Sequence, residues 1–113
     1  GRTPNDVNPD MRKKIYDMNM IAVQNQNLRG NDIPLAKLAA QRLGELNLPV
    51  LIVMGDLDED YISRATDFMQ NNITGAHKIV MQGTAHLPNM EFPDKFNTHL
   101  ENFLNNLPSN RPK

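Results

Sequence analysis

The sequence has no cysteine and no tryptophan, and aromatic side chains make up only 5% of it. Without cysteine there is no disulfide framework, no thiolate zinc site and no cysteine nucleophile. Charge of one sign is also missing: 12 Lys and Arg face 13 Asp and Glu, a formal net charge of −1. A dedicated nucleic-acid binder usually carries a basic excess, so no nucleic-acid partner is expected. No apolar run approaches the ~18 residues of a membrane span. The opening residues, Gly1-Arg2-Thr3-Pro4-Asn5-Asp6, contain no apolar signal region. Asn72-Ile73-Thr74 matches a glycosylation sequon, which carries little weight without such a region. Composition therefore points to a small cytoplasmic domain with no membrane partner. At 113 residues, 39% of them hydrophobic, an ordinary core is affordable in size, with roughly 65% of the unfolded surface buried on folding.

What is present is ordered. Asn8-Pro9 opens a helix, because Asn accepts a free N–H at the N-cap and Pro loses nothing at the first helical position. Met11, Ile15, Met18 and Ala22 follow on one helical face. Arg29-Gly30-Asn31-Asp32 ends that pattern, and a short second helix is expected over Leu35–Leu43, with Leu35, Leu38, Ala39 and Leu43 on one side. The basic cluster Arg12-Lys13-Lys14 reads as a solvated helix face. Met11, Met18 and Met20 suit ordinary helix packing, with an adaptable apolar pocket as the rival reading.

The texture changes at Leu48-Pro49-Val50-Leu51-Ile52-Val53-Met54, which is almost continuously apolar and rich in β-branched residues. Strands buried on both faces look like this, and they belong mostly to parallel sheets. Gly55 stops the run. Ile62, Ala65, Met69 and Ile73 then recur at helical steps, and Gly75 marks a helix stop. Lys78-Ile79-Val80-Met81 reads as a second strand, closed by Gln82-Gly83. Pro93 opens a last helix with Phe96, Leu100, Phe103, Leu104 and Leu107 on its apolar face, and residues 108–113 read as a disordered tail. Two parallel strands joined by a crossover helix cannot hide their own edges. The expectation is the C-terminal piece of a larger α/β protein, which alone would associate or exchange elements through its sheet edge.

In open α/β sheets, functional groups sit just beyond the carboxyl ends of the strands. Two segments qualify. Gly55-Asp56-Leu57-Asp58-Glu59-Asp60 offers carboxylates, and Gly83-Thr84-Ala85-His86-Leu87-Pro88-Asn89-Met90-Glu91-Phe92-Pro93 offers an imidazole. If the strands are adjacent and parallel, an Asp and His86 can meet. An Asp holding the N–H of a His sets its tautomer and stabilises the imidazolium. Asp56, Asp58 and Asp60 all compete for that position, with turn or cap roles as the plainer reading of each. His77 before the second strand and His99 on the last helix read as surface or structural. Glu91 suits orientation of the His loop or the helix N-terminus better than acid–base work.

The ordered pair Pro49-Val50-Leu51-Ile52-Val53-Met54-Gly55-Asp56-Leu57-Asp58 and Gly83–Pro93, followed by a helix ending Phe103-Leu104, resembles the C-terminal end of an α/β-hydrolase. The likeness covers Leu46 to Leu104, about half of the chain. The wording His86-Leu87-Pro88-Asn89-Met90-Glu91-Phe92-Pro93 most resembles lid-bearing members, among them carbon–carbon bond hydrolases, enol-lactonases and esterases. The resemblance implies an α/β fold of three layers, with residues 1–45 as the end of a lid, 46–107 as the last strand-helix-strand-helix of the core, and 108–113 as a tail. It places the acid of a nucleophile–His–acid triad at Asp58 and the base at His86. The substrate it implies is a small, fairly apolar ester, lactone or activated carbon–carbon compound, attacked without a cofactor.

The nucleophile elbow G-x-S-x-G is absent. The two serines are Ser63, at the start of a helix, and Ser109, in the tail. Neither follows a buried strand, and the oxyanion-hole loop is missing as well. The chain by itself is therefore expected to be inactive. The acids from Asp56 onward also begin like a calcium loop, but the sixth and twelfth positions are Tyr61 and Asp67 rather than Gly and Glu. Three dispersed His do not make a zinc site. The rival to a hydrolase end is a non-catalytic association module of the same fold. A free-standing regulatory domain fits poorly with only two strands.

Overall fold

The computed structural model describes residues 3–28, 30–31 and 33–108. The chain divides into two units, residues 1–37 and 38–113.

The first unit is built around α1 (Pro9–Gln24). Asn8 caps it as the sequence requires: its Oδ1 accepts the N–H groups of Asp10 at 3.0 Å and Met11 at 3.1 Å. Lys13 and Asp17 pair one turn apart on its surface. Met11, Ile15 and Met20 are half-buried, whereas Met18 and Ala22 are exposed, and no residue of α1 is fully buried. The helix is therefore held by its cap, propensity and local pairs rather than by a packed face. It ends at Gln24, before the expected stop at Arg29–Asp32; Arg29 and Asp32 lie outside the described residues.

The second unit opens differently from expectation. Instead of an α-helix over Leu35–Leu43, a 3-10 turn runs from Ala39 to Glu45, with Leu35 and Leu38 exposed. Leu35 and Leu38 bury no apolar face, and a short helix without tertiary packing does not repay its nucleation. The tighter turn uses the Gln41 side chain to accept the Leu38 N–H.

β1 (Leu51–Gly55) and β2 (His77–Met81) form a two-stranded parallel sheet, with Leu51 opposite His77 and Gly55 opposite Met81. β1 starts three residues into the apolar run, after Pro49, which has no N–H to offer a ladder. The His77 N–H donates to the Val50 carbonyl at the ladder's start. α2 (Asp60–Asn72) connects the strands. Ile52, Met54, Lys78 and Val80 share the sheet face toward α2. There Thr66 of α2 meets the Met54 sulfur, and the Lys78 ammonium meets Asp67. On the opposite face the His77 ring stands edge-on to Phe103 of α4 (Pro93–Asn105), at 6.3 Å between centroids.

The buried face of α2 is Ile62, Thr66, Met69 and Ile73 rather than one passing through Ala65, which is exposed. Steps of four, three and four hold that stripe on one side of the helix. Thr66 is tolerated there because its hydroxyl donates to the Ser63 carbonyl at 2.9 Å. On α4, Phe96, Leu100 and Phe103 are half-buried and Leu104 is exposed, so the apolar face is narrower than its sequence pattern. A short α3 (Pro88–Glu91) precedes α4 and has no counterpart in the sequence reading.

The core is small. Ile52, Met54, Ile73, Met81 and Pro88 are the buried apolar side chains among the described residues, the Ile and Met side chains each contributing roughly 1.5–3 kcal/mol on leaving water. Val80, Leu46, Leu48 and Phe68 remain exposed. Among the described residues no helix is long and apolar enough to cross a membrane. Of the tail at 108–113, only Pro108 is among them.

Candidate active site

Both loops that carry chemistry leave the carboxyl ends of the paired strands, so the parallel register brings them to one edge. Their approach depends on Gly55. A Cβ there would fall on the carbonyl oxygens of Thr84 and Ala85, so only glycine lets the backbones come so close. Gly83 supplies the turn out of β2 with φ +76°, in the left-handed region that disfavours side chains.

The loops are joined backbone to backbone. The Asp56 N–H donates to the Met81 carbonyl at 3.2 Å, and the Leu57 N–H donates to the Thr84 carbonyl at 2.9 Å. Thr84 is wholly buried, and its hydroxyl donates to the Met81 carbonyl at 2.9 Å. The Gly83 N–H donates to Asp56 Oδ1 at 2.6 Å, and the Ala85 N–H to Glu91 Oε1 at 2.8 Å.

On this frame Asp58 and His86 meet. His86 Nδ1 lies 3.0 Å from Asp58 Oδ2 and 3.2 Å from Oδ1. The Glu59 N–H also donates to Oδ1, at 2.8 Å. The Asp58 side chain is only 7% exposed, while that of His86 is 66% exposed. A carboxylate accepts, so Nδ1 donates, and in the neutral ring Nε2 then presents its lone pair. Among the described residues Nε2 has no hydrogen-bond partner. An imidazole anchored at one nitrogen and open at the other can take a proton from a neighbouring hydroxyl and hold the resulting charge against the carboxylate.

A search of protein-family models finds no match, and no curated protein matches the chain. A solved structure does: carboxylesterase CesB (YbfK) from Bacillus subtilis superposes on 66% of this chain with a TM-score of 0.56 and 22% sequence identity. The fold is α/β-hydrolase-like. At that identity the likeness extends to fold alone, and the match covers 26% of the esterase chain.

The other candidates separate. Asp56 does not reach the imidazole, because its carboxylate is occupied by the Gly83 amide. Asp60 is exposed in the first turn of α2, where negative charge meets the helix dipole favourably. His77 opens β2, at the strand end opposite His86, and His99 lies on α4. Both line a groove of about 380 Å³ between the sheet and α4. Ser63 lies within α2 and Ser109 lies outside the described residues. No cluster of three or more His, Asp or Glu suited to a metal ion occurs among the described residues.

Sequence reasoning missed Thr84 and the backbone stitching. A threonine after a turn glycine gives no signal, because its burial depends on the neighbouring loop. Glu91 was legible as a residue of the His loop, but its target, the Ala85 amide, was not.

Proposed function

We propose that Asp58 and His86 are the acid and base of a nucleophile–His–acid triad in a hydrolase. The substrate class is a small, fairly apolar ester, lactone or activated carbon–carbon compound. The observation that carries the proposal is the 3.0 Å contact between Nδ1 and Oδ2 at the carboxyl ends of adjacent parallel strands. The esterase-like fold supports the reaction class. In the reaction, His86 Nε2 takes the proton of the nucleophile's hydroxyl as that oxygen attacks the carbonyl, then returns it to the leaving group. Asp58 keeps the ring in the required tautomer and stabilises the imidazolium.

The nucleophile comes from outside these residues, since no serine here stands on a strand-to-helix elbow. In this reading residues 1–45 are the end of a lid, 46–107 the end of the core, and the chain by itself is inactive. The experiment is intact mass after treatment with a fluorophosphonate serine probe, comparing this chain with the longest product of the reading frame that encodes it. One adduct on the longer product alone, lost in His86→Ala, is the expected result. No labelling of either product would overturn a serine-dependent role.

A second reading is favoured by the two open edges of the sheet and the exposed Leu46, Leu48 and Val80. Here the same fold serves as a non-catalytic association module, pairing through its apolar edge with another chain. A stoichiometric complex, with the unlabelled protein fully assembled, would select this reading.

A further inference from the structure

We propose that Asp56 and Glu91 are positioning residues for His86, each fixing the histidine loop by accepting one backbone N–H beside it. The inference rests on the reading of Asp58 and His86 as acid and base.

Three consecutive residues of one loop bond three positions of the other. Asp56 Oδ1 accepts the Gly83 N–H, the Leu57 N–H donates to the Thr84 carbonyl, and the Asp58 carboxylate accepts from the His86 ring. Glu91 closes the series from the far side by accepting the Ala85 N–H. Every residue from Gly83 to His86 is thereby tied: carboxylates hold the backbone N–H of the first and third and the ring of the fourth.

The arrangement differs from ordinary turn chemistry. A turn Asp bonds backbone two or three residues away, whereas Asp56 reaches across 27 residues. The Glu91 bond runs from a short helix back to the residue before the imidazole. The physical need is evident in the exposure of His86. A ring that is 66% exposed is not held by packing, so its direction must come from its backbone and from Asp58. Hydrogen bonds to ionised acceptors are the stronger kind, and two of them bracket the loop.

The test uses the 113-residue chain labelled with ¹⁵N at histidine, at a pH where the imidazole is neutral. The ratio of Nδ1–H to Nε2–H tautomer of His86 is read from long-range ¹H–¹⁵N correlations. Asp56→Ala and Glu91→Leu are each expected to lower that ratio, because a loop released at one backbone N–H holds the imidazole against Asp58 for less of the time. Asp56→Asn and Glu91→Gln are expected to retain it, because an amide oxygen accepts the same N–H. An unchanged ratio in all four variants would overturn the proposal, as would equal loss in the amide variants. If the truncated side chains prevent folding, amide exchange in the wild-type chain decides. Slow exchange at Gly83 and Ala85 supports the proposal, and exchange at the rate of an open loop defeats it. A wild-type chain without the Nδ1–H tautomer would instead remove the Asp58–His86 reading itself.

Discussion

Asp58 and His86 stand 28 residues apart in sequence and 3.0 Å apart in space, one nearly enclosed and the other open. In the longer triad-bearing hydrolase proposed above, His86→Ala should lower kcat by about 10⁴- to 10⁶-fold. The same change in this chain removes an exposed ring but leaves the nearly enclosed Asp58 carboxylate without that donor, so it should cost ~1–3 kcal/mol of unfolding free energy. Asp58→Asn should cost about 10⁴-fold in kcat by favouring the wrong tautomer. Single-turnover kinetics and urea unfolding measure the two effects.

Gly55→Ala tests the approach of the loops. The new methyl group would overlap the Thr84 and Ala85 carbonyls, which are backbone and cannot swing away. The expected loss is ~1–3 kcal/mol, as for overpacking, with displacement of the His86 ring signals. Gly75→Ala is the control. Its Cβ would meet open space, and only the left-handed φ of +75° is penalised, at roughly 1 kcal/mol. Equal destabilisation of the two variants by urea would contradict the close approach at Gly55.

Lys78 and Asp67 form an ion pair whose two halves differ. The Lys78 side chain is 10% exposed and that of Asp67 is 60% exposed. The lysine stem packs on the α2 face of the sheet while its ammonium reaches the rim. Asp67→Ala leaves the ammonium of the largely buried Lys78 without its carboxylate and should cost ~1–3 kcal/mol. Lys78→Ala should cost a similar amount, about 2 kcal/mol, through lost packing, and Lys78→Met should recover most of that. Urea midpoints of the three variants provide the comparison.

Asn8→Ala should remove about 1 kcal/mol from α1. Because no residue of that helix is fully buried, the loss should appear as reduced helicity in circular dichroism. The cooperative unfolding of residues 38–113 should stay where it is.

The Asx cap at Asn8, the parallel pair of strands and the helix between them were legible because each is encoded locally, by a cap residue, a β-branched run or a helical stripe. The helix expected at Leu35–Leu43 failed because Leu35 and Leu38 find no surface to pack on, which the local pattern does not encode. Thr66 shows the limit of polarity as a guide to burial. Its hydroxyl is satisfied within its own helix turn, so it packs where Ala65 was expected.

Residue types and their order determined that an acidic loop and a histidine loop follow two apolar strands, and that Asp56, Asp58 and Asp60 compete for one role. Spacing in the chain does not separate three acids two residues apart. The tertiary structure decided among them, because the register of β1 on β2 and the bare backbone at Gly55 set how far one loop slides along the other. That register places Asp56 on the Gly83 amide, leaves Asp60 on α2, and brings Asp58 to the imidazole.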